Sequence, residues 1–217
     1  MSKFQPFRNP RVIVVRENWL GCTGLSAFDA FLRLGTSVSS LTESEYVPSN
    51  WRFFPMRVLG KLQRRWAVRE FNKALLDEVE RRCPDLVLVF KGTYIEAETI
   101  RSIRRLGAKA YCFYPDVSFR THGPYLCDAL PEYDWIFTTK TFGLLDMRAQ
   151  LGITRASFLP HAFDIRVHRP RVPTASEAEM FNCDVSFIGT WSPKKEELLT
   201  ELVVADPQLR VRVWGNQ

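Results

Sequence analysis

Pro84-Asp85-Leu86-Val87-Leu88-Val89-Phe90-Lys91-Gly92 is the stretch on which the fold turns. Its apolar run from Leu86 to Phe90 is continuous and lacks the alternation of a strand with one face in water. A strand buried on both faces belongs in a parallel sheet with helices above and below.

The same rhythm extends in both directions. Strands are expected at Arg11–Val15, Ser37–Leu41, Asp85–Phe90, Lys109–Tyr114, Trp135–Thr139 and Ala156–Leu159. Helical periodicity falls between them at about 25–34, 56–82, 95–106, 123–130 and 142–151. Such alternation builds βαβ units, so the first domain reads as an α/β, Rossmann-like, doubly wound parallel sheet. Thr93-Tyr94-Ile95-Glu96 has the pattern of a capping box, with Gly107 as the stop of the helix it opens. Leu144, Met147 and Leu151 share one helical face, which Gly152 ends.

The rhythm breaks over residues 164–182, where Pro170, Pro173, Thr174 and Ser176 sit in a polar stretch without periodicity. A new strand then opens at Asp184-Val185-Ser186-Phe187-Ile188, followed by a turn at Gly189-Thr190-Trp191. Ser192-Pro193 offers an N-cap and a first-turn proline, and Leu209–Val213 reads as one more strand. The expected organisation is a domain over 1–163, a linker over 164–182 and the opening of a second Rossmann-like domain over 183–217. A receiver-like single domain leaves both the linker and this fresh start unexplained.

Composition narrows the classes of function. Hydrophobic residues at 46% and charged residues at 25% describe a folded globular protein. The net charge of +6 suits an anionic ligand, but no motif points to nucleic acid. Neither a signal peptide nor a run of the ~20 apolar residues that span a bilayer is present, so a cytoplasmic protein is expected. The five cysteines are scattered and never form C-x-x-C, so neither a disulfide framework nor a zinc site is indicated. Over 56–82, Arg57, Lys61, Arg64, Arg65, Arg69 and Lys73 oppose Leu59, Leu62, Trp66, Phe71, Leu75 and Val79. This basic amphipathic face fits peripheral contact with the inner face of an anionic membrane, or plain solvation.

Ligands of open α/β sheets bind beyond the carboxyl ends of the strands. That rule selects Glu17 to Gly24, Lys91-Gly92-Thr93, Tyr114-Pro115-Asp116, Thr138-Thr139-Lys140, His161 and, in the second domain, Gly189-Thr190-Trp191. Gly21 and Gly24 let backbone N–H groups approach a ligand, or simply make a tight turn. Asp116 is placed to take a proton as a general base, or to close a Pro-Asp turn. His161 is a second candidate base, or a histidine packed at the domain junction. Lys91 and Lys140 can neutralise phosphate, or lie in solvent. Gly189, Thr190 and Trp191 form a diphosphate contact, or a structural turn.

Taken in order, several phrases resemble the CgeB-like (spore maturation protein) family of GT-B glycosyltransferases. They are Pro84 to Gly92, Tyr114-Pro115-Asp116, Tyr133 to Lys140, Phe142-Gly143, Leu159 to Asp164, His168-Arg169-Pro170 and Cys183 to Trp191. The resemblance covers about residues 84–217 and implies two Rossmann-like domains facing across a cleft, acceptor on the first and nucleotide-sugar on the second. It implies Asp116, Lys140 and His161 as cleft-facing positions and Gly189-Thr190-Trp191 as the start of the donor side. No bound metal or other cofactor is implied, since basic residues and helix dipoles stabilise the leaving diphosphate. Family members continue past the position of Trp214-Gly215-Asn216, which implies a truncated donor domain here. The expected function is transfer of a sugar from a nucleotide-diphosphate sugar to a hydroxyl of a sugar, lipid or protein. The alternative is a non-catalytic α/β module that binds an acceptor or a partner.

Overall fold

The computed structural model describes residues 9–19, 21–47 and 54–215, the side chains of 54–62 excepted. The chain divides into two compact units, Met1–Val167 and His168–Gln217.

The first unit runs β1 (Arg11–Arg16), α1 (Thr23–Arg33), β2 (Ser37–Thr42), α2 (Glu43–Tyr46), α3 (Phe54–Arg82) and β3 (Leu86–Phe90). It continues with α4 (Ala97–Arg105), β4 (Lys109–Tyr114), α5 (Pro124–Ala129), β5 (Trp135–Thr138), α6 (Thr141–Leu151) and β6 (Ala156–Phe158). All six strands are parallel, in the order β2-β1-β3-β4-β5-β6. The connections wind outward in opposite directions from β1 and β3, so the loops after these two strands diverge and leave a crevice.

Apolar side chains of the inner strands are buried, among them Ile13, Val15, Val87, Val89, Ala110, Cys112 and Ile136. Helices close over them with matching stripes. In α3, Val68, Phe71, Leu75 and Val79 recur at helical spacing and are fully buried or nearly so. In α4, Ile100 and Ile103 face inward while Arg101 and Arg105 reach out to Glu98. Aspartates in front of strands fix their neighbours. Asp85 accepts from the Arg11 amide at 2.8 Å, and Asp134 accepts from the Ala110 amide at 3.0 Å. A slip by one residue would break these bonds and turn the strand's buried set outward.

Three local expectations are corrected. Helix α4 starts at Ala97 with Glu96 as its N-cap, and the capping box at Thr93 does not form. The Glu96 amide is instead taken by Asn72 Oδ1 of α3 at 2.9 Å, a tertiary partner. Trp66 is 66% exposed, because the phase of α3 is set by Val68 and Phe71. The side chains of Arg57, Leu59, Lys61 and Leu62 lie outside the described residues. Lastly, residues 164–167 belong to the first unit: Asp164 is buried and bonds Arg166, which also pairs with Asp29 of α1.

The second unit contains α7 (Ala175–Phe181), β7 (Val185–Ile188), α8 (Pro193–Ala205) and β8 (Val211–Trp214). The stretch read as aperiodic therefore holds a helix, nucleated by a capping box between Thr174 and Glu177. Strands β7 and β8 pair in parallel, with α8 between them in the chain. Asp184 repeats the strand-fixing device by accepting from the Arg210 amide at 2.9 Å. Among the described residues no helix is long and apolar enough to cross a membrane.

Candidate functional site

The crevice at the carboxyl ends of β1 to β4 holds a pocket of about 720 Å³ in the first unit. Each strand contributes the residues that follow it. Glu17, Trp19 and Gly24 come after β1, Glu43 after β2, Lys91 and Tyr94 after β3, and Asp116 and His122 after β4. His161, beyond β6, completes the wall. Gly24, Lys91, Asp116 and His161 are thus brought together as the strand-end rule expects. Gly21, Gly92 and Lys140 do not line this pocket.

The glycines have structural work. A Cβ on Gly24 would stand 2.6 Å from the Arg16 Cβ and 3.2 Å from the Phe90 ring, so its lack of a side chain lets α1 approach the sheet. Gly92, at φ +73°, would place a Cβ 2.7 Å from Val89 Cγ1. Cys22 caps α1: its sulfur accepts from the Leu25 amide at 3.2 Å and donates to the Glu17 carbonyl at 3.0 Å.

Charge converges on Asp116. Lys91 Nζ lies 2.8 Å and His122 Nε2 2.9 Å from its Oδ2. Lys91 adopts φ +71°, a left-handed conformation that costs a residue with a Cβ of order 1 kcal/mol and clusters at functional sites. Its amide donates to the Phe113 carbonyl at 2.9 Å, which fixes the turn that aims the ammonium group. The loop of Asp116 is held from below by Thr139, whose hydroxyl donates to the Pro115 carbonyl at 2.8 Å. Burial and the Lys91 charge together hold His122 below the ordinary imidazole range, against the pull of Asp116. Both groups stand within ion-pair distance of this buried oxygen, which among the described residues receives no well-aligned hydrogen bond. His161 is exposed and packs its ring edge against Phe113, centroids 5.9 Å apart.

Glu43 and His122 escaped the sequence reading. The strand-end rule applied to β2 would have reached Glu43, which follows Thr42 directly. Glu43 is 4% exposed, and the Tyr94 amide approaches its Oε1 at 3.5 Å. Its pKa is pushed up to about 7, chiefly by burial and further by the charge of Glu17. The amides of Tyr94 and Thr93 and the charge of Lys91 pull the other way.

This has a consequence for stability. The folded chain keeps the Glu43 proton up to about pH 7, whereas the unfolded chain loses it near its model-peptide value of 4.5. Stability from this group is full below that lower value and declines as pH rises to about 7, by roughly 3 kcal/mol. Glu43→Gln should flatten the decline, measured as urea midpoints across this range. An unchanged slope in the variant would place the effect elsewhere.

In the second unit a pocket of about 670 Å³ is lined by Gly189, Trp191, Lys195 and the apolar faces of β7, α8 and β8. Thr190 does not line it, but its carbonyl accepts from Lys195 Nζ at 2.7 Å. Trp191 Nε1 donates to Glu196 at 2.8 Å, and Ser192 makes no side-chain cap bond to α8. Among the described residues no group of three or more His, Cys, Asp or Glu is placed to hold a metal.

No protein-family profile matches the sequence, and no curated protein matches it. Solved structures do match in fold. A glycotransferase of kitacinnamycin superposes with TM-score 0.57 at 12% identity, over 95% of this chain and 66% of that one. UGT73P12 of Glycyrrhiza uralensis, solved with glycyrrhetinic acid 3-O-monoglucuronide, gives 0.55 at 10%, over 95% and 63%. A trehalose-6-phosphate synthase gives 0.54 at 13%, over 94% and 63%. The chain therefore spans just under two thirds of these proteins, and its fold is the α/β, Rossmann-like fold of GT-B glycosyltransferases.

Proposed function

We propose that this chain belongs to a glycosyltransferase that moves a sugar from a nucleotide-diphosphate sugar to a hydroxyl group. The observation that carries this reading is the pocket at the β1–β4 edge, where Glu43, Lys91, Asp116 and His122 converge, in a fold shared with sugar-transferring enzymes. The finer assignment to the CgeB-like family is part of the same proposal.

In this reading the first-unit pocket receives the acceptor. Exposed Trp19 offers an apolar ring face, and His161 at the rim hydrogen-bonds the acceptor. Asp116 is engaged by two partners, so its carboxylate serves as the anchor that positions Lys91 and His122. In the second unit, Gly189, Thr190 and Trp191 precede a helix N-terminus without a side-chain cap, an arrangement suited to the donor's diphosphate.

Calorimetric titration with UDP-, GDP- and dTDP-sugars tests the reading. One nucleotide should bind saturably, and Gly189→Trp should weaken it by about tenfold or more. A folded chain that binds none of them would fail as a transferase. Binding of a hydroxylated acceptor alone would then favour a non-catalytic acceptor module.

A further inference from the structure

We infer that Glu43 is the group that takes the proton from the acceptor hydroxyl. The inference rests on the transferase reading and adds to it a residue that follows a different strand, β2, from the one before Asp116, β4.

Geometry singles out this carboxylate. Asp116 Oδ2 has Lys91 and His122 within ion-pair distance, whereas among the described residues Glu43 has no cation that near. Only backbone amides bear on it, those of Tyr94, long at 3.5 Å, and Thr93. A buried carboxylate so weakly occupied keeps lone pairs for a hydroxyl entering the pocket. The element that carries it is seated firmly: Tyr46 of α2 packs on Phe71 of α3, with ring centroids 5.7 Å apart. Val47, directly after α2, is buried in the core.

The surrounding charges set its affinity for a proton. Glu17 faces it from the loop after β1 and Lys91 from the turn after β3. Cys112 of β4 and Tyr133 ahead of β5 also sense it through the core, and burial raises the pKa of both, leaving them neutral. Glu43 is thereby poised close to neutrality, where a general base combines an available lone pair with a useful driving force.

The step balances without a co-reactant beyond donor and acceptor. The acceptor O–H proton passes to a Glu43 oxygen as the acceptor oxygen bonds to the anomeric carbon. The bond from that carbon to the diphosphate oxygen breaks, and its electron pair leaves with the nucleotide diphosphate. Water then removes the proton from Glu43.

Glu43→Gln and Glu43→Asp test this, with UDP-, GDP- and dTDP-glucose as donors and an alkyl glucoside as acceptor. Glu43→Gln should lower kcat about a hundredfold with KM within about threefold, and the acid limb of the kcat–pH profile near neutrality should vanish. Glu43→Asp should retain an acid limb. With 4-nitrophenol, already largely ionised at about pH 8, the Gln variant should lose far less, because no base is needed. Urea midpoints establish that each variant is folded, and if Glu43→Gln is not, the Glu43→Asp profile decides by a displaced or unchanged limb. A Gln variant with wild-type kcat and an intact acid limb overturns the role of Glu43 alone. A wild-type chain that transfers no sugar overturns the transferase reading and this inference together.

Discussion

Phe71→Ala should lower the stability of the first unit by about 3–5 kcal/mol, among the largest losses a single truncation can cause. Phe71 is fully buried in the cluster formed with Val68, Leu75 and Val79. Truncation removes the burial of an aromatic ring and leaves a void that neighbours fill only in part. The void would open directly beneath Tyr46, whose ring packs on Phe71. The expected drop in melting temperature is roughly 8–15 °C for a chain of this size. Thermal unfolding followed by near-UV circular dichroism checks it, and a drop of only one or two degrees would mean that α3 repacks freely. Because α2 carries Glu43, the same variant should also loosen the first unit's pocket before it unfolds.

Asp116→Asn should cost about 10²–10³-fold in kcat/KM while leaving stability nearly unchanged. The substitution keeps shape and removes charge, and the ion pairs it weakens are partly exposed, so less than about 1 kcal/mol of stability is at stake. What it takes away is the common anchor of Lys91 and His122. A second readout separates this from general damage. Asp116 raises the pKa of His122, so the variant's imidazole should titrate lower still, as followed by proton NMR. Wild-type kcat/KM in the variant would remove Asp116 from the site's machinery, and an unmoved His122 titration would deny the pairing.

The strands of this protein are legible in its sequence for a simple reason. Short apolar runs rich in β-branched residues and bounded by turn signals, such as Leu86–Phe90, favour a buried strand, and each observed strand lies within a residue or two of its expected bounds. Helix details were less legible where a distant residue decides them. Asn72, in α3, takes the amide of Glu96, and no local pattern reveals this. Trp66 looks like core by its chemistry, yet the helical phase imposed by Val68, Phe71 and Leu75 leaves it outside. The aspartates at 85, 134 and 184 stand within the phrases that carry the family resemblance, and the structure gives them a part in fixing strands.

The pocket was half legible. Lys91 directly follows β3, Asp116 and His161 come within three residues of the ends of β4 and β6, and all three answer to the strand-end rule. Glu43 opens Glu-Ser-Glu-Tyr, a polar tetrapeptide that reads as surface, and its burial beside Thr93 and Tyr94 is a tertiary effect. His122 sits six residues beyond Asp116, and the turn at Phe119–His122 is what folds it back.

The order of strands in the sheet also governs the protein's birth on the ribosome. Strand β1 is made first but lies between β2 and β3, and Val12 pairs with Leu86, more than seventy residues later. The emerging chain can wind α3 locally while β1 waits for the partner on its other edge, because such distant pairings form late and α-helices form early. During that interval the apolar strand Val12 to Val15 has one edge bare, a vulnerable state for a nascent chain. Emergence of β3 from the ribosome ends the exposure. A pause that holds β3 inside the ribosome would therefore favour chaperone capture or aggregation more than one after β4 has emerged and covered the next edge.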